Sequence, residues 1–389
     1  MSKIELAKGV YWVGAIDWNL RFCGSYNTPR GTTYNAYLIV DEKITLIDTV
    51  KGVFFDEMFS RIKEIVDPSK IDYVVVQHAE LDHSGALPQL MKHVQGAQIV
   101  CSQAAGQTMR EHFHEEWNIK AVKTGDELKL GERTLRFIEA AMLHWPDNMF
   151  SYLAEDRILF SNDAFGAHLA THQRYSDEVG DALREEAANY YAVIVSPYAS
   201  FVQKKLKEVE GLRIAIDMIA PAHGLVWRQP KEIIEAYGRW SSGQTLKKAV
   251  IVFDTMWKST EKMAGAIAAG IMAEGAGVSV FNARESLWST VIKEIMESRL
   301  ILVGSPTLNM GMYPSVAGFL SFLKGMRFTG KKAAAFGSYG WAKAATKEIS
   351  EALQAMKYEI LESRECKYVP TGEQLQECFA YGRKLAEGL

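Results

Sequence analysis

One short stretch constrains this chain more than any other. His78-Ala79-Glu80-Leu81-Asp82-His83-Ser84-Gly85 follows directly on Tyr73-Val74-Val75-Val76, a candidate buried strand. It places four potential metal ligands within six residues. Side chains alternate along an extended chain, so His78, Glu80 and Asp82 are expected on one side. Three ligands on one face of a turn can grip two cations. A solvated polar loop is the simpler reading of a lone histidine, but it does not account for four ligands at this spacing.

The same arrangement recurs through the first half of the chain. Ile44-Thr45-Leu46-Ile47 runs into Asp48, Ile158-Leu159-Phe160 into Ser161-Asn162-Asp163, and the mostly apolar run from Ile214 to Ala220 into Pro221-Ala222-His223-Gly224. Polar residues just past strand ends are where α/β folds collect functional groups. His144, in Leu143-His144-Trp145-Pro146-Asp147, joins Asp163 and His223 as a candidate ligand. Taken singly, each of the three is as readily a cap or a satisfied buried polar group.

Trp240 to Lys248 reads WSSGQTLKK, polar and without apolar periodicity, and marks a boundary between residues 1–246 and 247–389. A new pattern starts at Ala249. The segments Ala249–Phe253, Val278–Val280, Leu300–Val303 and Ala333–Phe336 read as buried strands, with a helix of small apolar residues from Lys262 to Ala273. Strands alternating with helices imply a parallel, doubly wound sheet.

Composition excludes several classes. With 48% hydrophobic residues in 389, a sizeable core forms without staples. Net charge is −3, and no Lys/Arg run suggests nucleic acid or a polybasic membrane patch. The N-terminus MSKIELAKGV lacks the apolar core of a signal peptide, and no apolar run is long enough to span a bilayer, so a cytoplasmic protein is expected. Cys23, Cys101, Cys366 and Cys378 form no C-x-x-C pair, which excludes a rubredoxin-type iron site or zinc ribbon and leaves reduced thiols as the expectation.

The order of His78, Glu80, Asp82, His83, then a distant His144, Asp163 and His223 resembles the ligand order of the metallo-β-lactamase-like fold, HxHxDH followed by His, Asp and His. One position departs. Glu80 stands where the hydrolases of that fold carry their second histidine. Three carboxylates beside the histidines suit a harder, redox-active metal such as iron, whereas zinc hydrolases lean on imidazole. Three negative charges also offset most of the charge of two ferrous ions, and Asp163 can ligate both through its two oxygens.

The resulting HxExDH pattern resembles the flavodiiron proteins, or A-type flavoproteins. Gly31-Thr32-Thr33-Tyr34-Asn35-Ala36-Tyr37-Leu38-Ile39, His144-Trp145-Pro146-Asp147 and Asp163-Ala164-Phe165-Gly166 look like further signatures of that family, so the resemblance covers essentially the whole chain. It implies an αββα metallo-β-lactamase-like sandwich followed by a flavodoxin-like doubly wound parallel sheet. It also implies two iron ions, one held by His78, Glu80, His144 and Asp163, the other by Asp82, His83, Asp163 and His223. In some relatives the equivalent of His83 turns away and water replaces it. Many relatives also carry a histidine where this chain reads Phe22-Cys23-Gly24-Ser25-Tyr26, a departure in the lining near the metals.

In the second half, Asp254-Thr255-Met256-Trp257-Lys258-Ser259-Thr260 follows the first strand and opens a helix. Loop N–H groups, hydroxyls and the helix N-terminus make an anion site there, although a plain N-cap by Ser259 or Thr260 reads equally well. Ser305-Pro306-Thr307-Leu308-Asn309 and Gly337-Ser338-Tyr339-Gly340-Trp341 end two further strands. All three loops fall on one sheet edge, where ligands bind. The resemblance to flavodoxins implies FMN on these loops, with Tyr339 or Trp341 stacked on the flavin ring. An alternative reading of Trp341 is a core aromatic at a helix start.

These readings imply an oxidoreductase that reduces O2 to water, NO to N2O, or both, with FMN relaying electrons from an external donor. Rubredoxin and reduced coenzyme F420 are the donors the family offers, since the chain carries no donor domain after the flavodoxin-like part. The family also implies a head-to-tail homodimer, or a dimer of dimers, in which the FMN of one chain meets the irons of the other. The rival reading is a zinc hydrolase with a flavodoxin-like domain attached. The ligands alone do not rank O2 against NO.

Overall fold

The computed structural model describes residues 3–21 and 26–389. Phe22, Cys23, Gly24 and Ser25, where the chain departs from the family, lie outside the described residues. Two compact units are present: Thr28–Gly238 with the residues up to Arg21, and Arg239–Leu389 with Tyr26 and Asn27.

The first unit is built on two sheets. One contains seven strands: β1 (Ile4–Ala7), β2 (Val10–Trp12), β5 (Tyr37–Ile39), β6 (Ile44–Ile47), β7 (Ile71–Val76), β8 (Gln98–Ser102) and β9 (Ile119–Val122), in the order β1-β2-β5-β6-β7-β8-β9. From β6 to β9 the pairings are parallel. A small ribbon of β3 (Ala15–Asp17) and β4 (Thr32–Tyr34) stands apart. The second large sheet is β10 (Glu127–Lys129), β11 (Thr134–Glu139), β12 (Met149–Leu153), β13 (Ile158–Asn162) and β14 (Met218–Pro221), antiparallel except for the last pair.

Strand β7 shows why these sheets stack. Its side chains alternate, and both faces are buried. Val75 joins Tyr37, Ile47, Phe137, Phe160 and Ala220 in the core between the two sheets. Val74 and Val76 face the other way, onto Met58 and Ile62 of helix Phe55–Ile65 and Met109 of helix Gln103–Phe113. The outer face of the second sheet, through Phe150, Leu159 and Ile219, looks onto helices Ala199–Gly211 and Pro230–Ser241. The layers are therefore αββα, as the ligand pattern implied. The run Ile214–Ala220 is strand only from Met218. Ile214 and Ile216 instead line an apolar cavity of about 600 Å³ under those two helices, with Val202, Phe165 and Tyr237.

The second unit is a parallel sheet of β15 (Leu246–Phe253), β16 (Gly277–Asn282), β17 (Ser298–Gly304), β18 (Lys332–Tyr339), β19 (Glu359–Ile360) and β20 (Arg364–Lys367). The order is β16-β15-β17-β18, with β19 and β20 both pairing to β18. This is the flavodoxin-like doubly wound arrangement, with its switch point beside β15. Helices Ser259–Ala273 and Gly372–Glu387 pack on one face. Two glycines let them meet. A Cβ on Gly270 would lie 2.0 Å from the Phe379 carbonyl oxygen, and one on Gly382 would lie 2.2 Å from that of Ile267. Glycine inside a helix costs about 1 kcal/mol against alanine, and here that cost permits backbone-to-backbone approach. Among the described residues no helix is long and apolar enough to cross a membrane. Cys101, Cys366 and Cys378 are buried free thiols; Cys23 lies outside the described residues.

Candidate metal and flavin sites

Strand β7 delivers His78 to the carboxyl end of its sheet, and β13 delivers Asp163 to the corresponding end of the other. The expected extended run through Asp82 does not occur. Leu81–Ser84 is a helical turn with Glu80 at its N-cap. A helical turn rotates successive residues by about 100°, so Asp82 no longer shares a side with His78 and Glu80. The seven candidate ligands instead form two groups: His78, Glu80, His144 and Asp163, and Asp82, His83 and His223. Within each group the potential ligand atoms all lie within 4.8 Å of one another.

Asp163 joins the two groups. Its Oδ2 lies 3.6 Å from His78 Nε2 and 3.4 Å from His144 Nε2. Its Oδ1 lies 3.1 Å from His83 Nε2 and 3.4 Å from His223 Nε2. Glu80 Oε2 completes one group at 3.2 Å from His78 and 3.3 Å from His144. Asp82 completes the other, at 3.4 Å from His83 and 3.3 Å from His223. Two atoms each about 2.1 Å from one cation sit about 3.0–3.4 Å apart across a right or tetrahedral angle, close to the spacing found here. Asp82 Oδ1 and Asp163 Oδ2 are buried and accept no hydrogen bond. Buried carboxylate oxygens without donors are costly unless a cation faces them, so the residues present fit two metal ions.

Outer contacts aim the imidazoles. Asp147 accepts from His78 Nδ1 at 2.9 Å and is held in turn by the Ala79 N–H at 2.8 Å. The Thr33 carbonyl, which can only accept, takes the proton of His223 Nδ1 at 2.7 Å. Both contacts leave the Nε2 lone pair facing the cluster. Tyr190 donates to Asp163 Oδ1 at 3.1 Å. His83 Nδ1 has no partner, so no contact of that kind sets its tautomer. Burial disfavours charge on His78, yet its bonds to Asp147 and Glu80 push its pKa up to about 10. The same contest, won by Asp82 and Asp163, puts His83 at about 10. His144 reaches about 9 through Asp163 and Glu80. Burial would raise Glu80, but the two imidazoles hold it down to about 2. The cluster is a trap for positive charge. Asp147, Thr33 and Tyr190 were not among the residues expected from sequence. Asp147 and Thr33 lie inside the His144–Asp147 and Gly31–Ile39 stretches, while Tyr190 left no trace there.

In the second unit, the loops after β15, β17 and β18 line a cavity of about 460 Å³. Thr255, Met256 and Trp257 come from the first loop with Ser259 at the start of the following helix, Pro306, Thr307, Leu308 and Asn309 from the second loop, and Gly340 and Trp341 from the third; Ser338 and Tyr339 are the last residues of β18, which runs past the expected end at Phe336. Thr260 does not reach the wall. It is buried, with its hydroxyl 3.3 Å from that of Ser338. No side-chain cap closes helix Ser259–Ala273, whose N-cap Lys258 is left-handed, so the N–H groups of its first turn are open to an anion. The second and third loops are tied together: Thr307 N donates to the Ser338 carbonyl at 2.9 Å.

Trp341 is 91% exposed and Trp257 82%, so Trp341 is not a core aromatic. Wide aromatic surface in the wall of an apolar cavity, together with hydroxyls and an uncapped helix N-terminus, fits a flat ring carrying a phosphate. Tyr313, Tyr368 and Val369 also line the cavity and were missed in the sequence. Tyr368 and Val369 follow β20, and the rule that ligands gather at strand ends of a doubly wound sheet would have pointed to them.

Comparison with known proteins agrees with both units. Residues 32–224 match the ODP family beta lactamase and residues 251–382 match Flavodoxin. A nitric oxide reductase from Moorella thermoacetica is 47% identical, over 98% of this chain and 98% of its own length. The solved rubredoxin oxygen:oxidoreductase from Desulfovibrio gigas is 40% identical with a TM-score of 0.96, covering 100% of this chain and 98% of that one. A flavodiiron protein from Giardia intestinalis is 35% identical with a TM-score of 0.97, covering 100% and 96%.

Proposed function

The chain belongs to the flavodiiron protein family, and we propose from that premise that it is a cytoplasmic oxidoreductase reducing O2 to water, NO to N2O, or both. Residues 1–246 carry two iron ions and residues 247–389 carry FMN. His78, Glu80, His144 and Asp163 hold one iron; Asp82, His83, Asp163 and His223 hold the other. The single observation that carries this reading is Asp163, which turns one oxygen to each group while Glu80 adds a carboxylate where zinc hydrolases use imidazole.

When bound, the iron pair supplies a redox-active centre for a diatomic gas, and the flavin supplies electrons singly or in pairs. The chain's own residues prepare that chemistry. Asp147 and the Thr33 carbonyl fix two imidazoles in the metal-binding tautomer. Tyr190 holds the shared carboxylate in place. The site is walled by buried side chains and opens on the Glu80 side, whose side chain is 37% exposed against 2% for Asp163. A small gas enters there.

Electrons would be drawn from an external donor, rubredoxin or reduced coenzyme F420, and a head-to-tail dimer would bring the flavin loops of one chain to the iron ligands of the other. A monomer with full activity would rule out that path. Anaerobic stopped-flow with each gas and each donor ranks the substrates. Metal analysis is expected to find two irons and one FMN per chain; zinc without redox activity would favour a hydrolase. Glu80→Gln and Asp163→Asn should abolish gas reduction while FMN stays bound. Turnover surviving both changes would refute the assignment.

A further inference from the structure

A cavity of about 310 Å³ lies in the first unit away from the metal ligands, with Lys3, Trp12, Arg61, Glu64, His172 and Arg174 in its wall. Arg174 is only 5% exposed, and its Nη1 reaches no acceptor. Its other nitrogens are engaged: Nη2 donates to the Thr171 carbonyl and Nε to that of His172 at 3.4 Å. Arg174 and Arg61 both lie over the Trp12 ring, at 4.4 and 4.8 Å. Glu64 is the one carboxylate among the wall residues that also supply Lys3, Arg61 and Arg174; behind them Glu57 pairs with Arg61 at 2.7 Å and Glu178 accepts from the Arg174 backbone N–H at 3.1 Å. Burial, with Arg61 adding to it, pulls the Arg174 guanidinium down to about 10, so it is still charged at neutral pH.

Buried charged donors are rarely left unpaired, and a planar guanidinium fork matches carboxylate and phosphate oxygens. Trp12 and its apolar neighbours Ile4, Ile16 and Ile65 give the cavity an apolar floor. We propose that this cavity binds a small oxyanion, a carboxylate or phosphate group, received by Arg174 with Lys3 and Arg61 beside it. The site is separate from the gas-reducing centre and takes a ligand of a different class.

Isothermal titration of the holoenzyme with inorganic phosphate, and separately with propionate, tests this against sodium chloride at equal ionic strength. Saturable binding of at least one of them at one site per chain is expected. Binding by both identifies the shared oxyanion head, and binding by one narrows the ligand to phosphates or carboxylates. Arg174→Gln should weaken it at least tenfold and Lys3→Glu several-fold, with iron and FMN contents unchanged. If Arg174→Gln fails to fold, Lys3→Glu and Ile65→Trp, which narrows the cavity, carry the test. Heats no larger than those of chloride, or binding unchanged in the variants that fold, would overturn the proposal.

Discussion

Asp147 shows what a residue can do without touching a metal. It accepts the Nδ1 proton of His78 and the N–H of Ala79, so it sets both the tautomer and the position of one ligand. Partners of this kind typically contribute 10- to 100-fold in metal affinity. Asp147→Asn should therefore weaken iron binding by about 10- to 100-fold, measured by chelator competition under anaerobic conditions, with FMN content unchanged. Trp341 is the counterpart at the flavin. An aromatic pair adds about 0.5–1.5 kcal/mol beyond area burial, so Trp341→Ala should weaken FMN binding about two- to tenfold in a titration of the flavin-stripped chain. The seven candidate ligands were legible because His and carboxylate side chains crowd one short stretch and then recur at strand ends. Thr33 and Tyr190 were not. Thr33 acts through its backbone carbonyl and Tyr190 from a helix far along the chain, and neither contact leaves a local pattern.

At the scale of elements, alternation and turn chemistry were readable and close approach was not. The strands at Tyr73–Val76, Ala249–Phe253 and Leu300–Val303 follow from continuous apolar runs between polar loops. The turn at Leu81–Ser84 was expected to be extended because a lone leucine beside Asp82, His83 and Ser84 carries no apolar period to separate helix from strand. The expected helix from Lys262 to Ala273 contains two glycines, Gly265 and Gly270. They differ in the fold. Gly265 is exposed, and a Cβ there would meet nothing within 4 Å, whereas at Gly270 it would strike the Phe379 carbonyl. Alanine is the better helix former by about 1 kcal/mol. Gly265→Ala should thus stabilise the second unit by up to about 1 kcal/mol. Gly270→Ala forces the two helices apart and should destabilise it by about 1–3 kcal/mol. Urea unfolding followed by flavin fluorescence separates the two. Equal shifts of the same sign would show that the helices do not meet as described.

For the whole molecule, the question is how widely the binding energy of each cofactor spreads. The candidate metal ligands project from strand ends around the cores containing Val74, Val75 and Phe160, while the candidate flavin cavity rests on the core containing Ile251, Leu302 and Phe336. Among the described residues none belongs to both sets. A ligand bound to the native state stabilises by about 2.7 kcal/mol at a hundred times its Kd, which shifts a unit of this size by about 5–10 °C. Anaerobic chelation of iron should therefore lower the melting of the first unit by about that amount, and the loss is local because the ligands share no core with the flavin. The second unit should keep its FMN and its melting temperature. Removing FMN should do the reverse. Scanning calorimetry together with flavin absorbance distinguishes the outcomes. Release of FMN on chelation, or a single transition moved by either cofactor, would mean that the two sites draw on one cooperative unit.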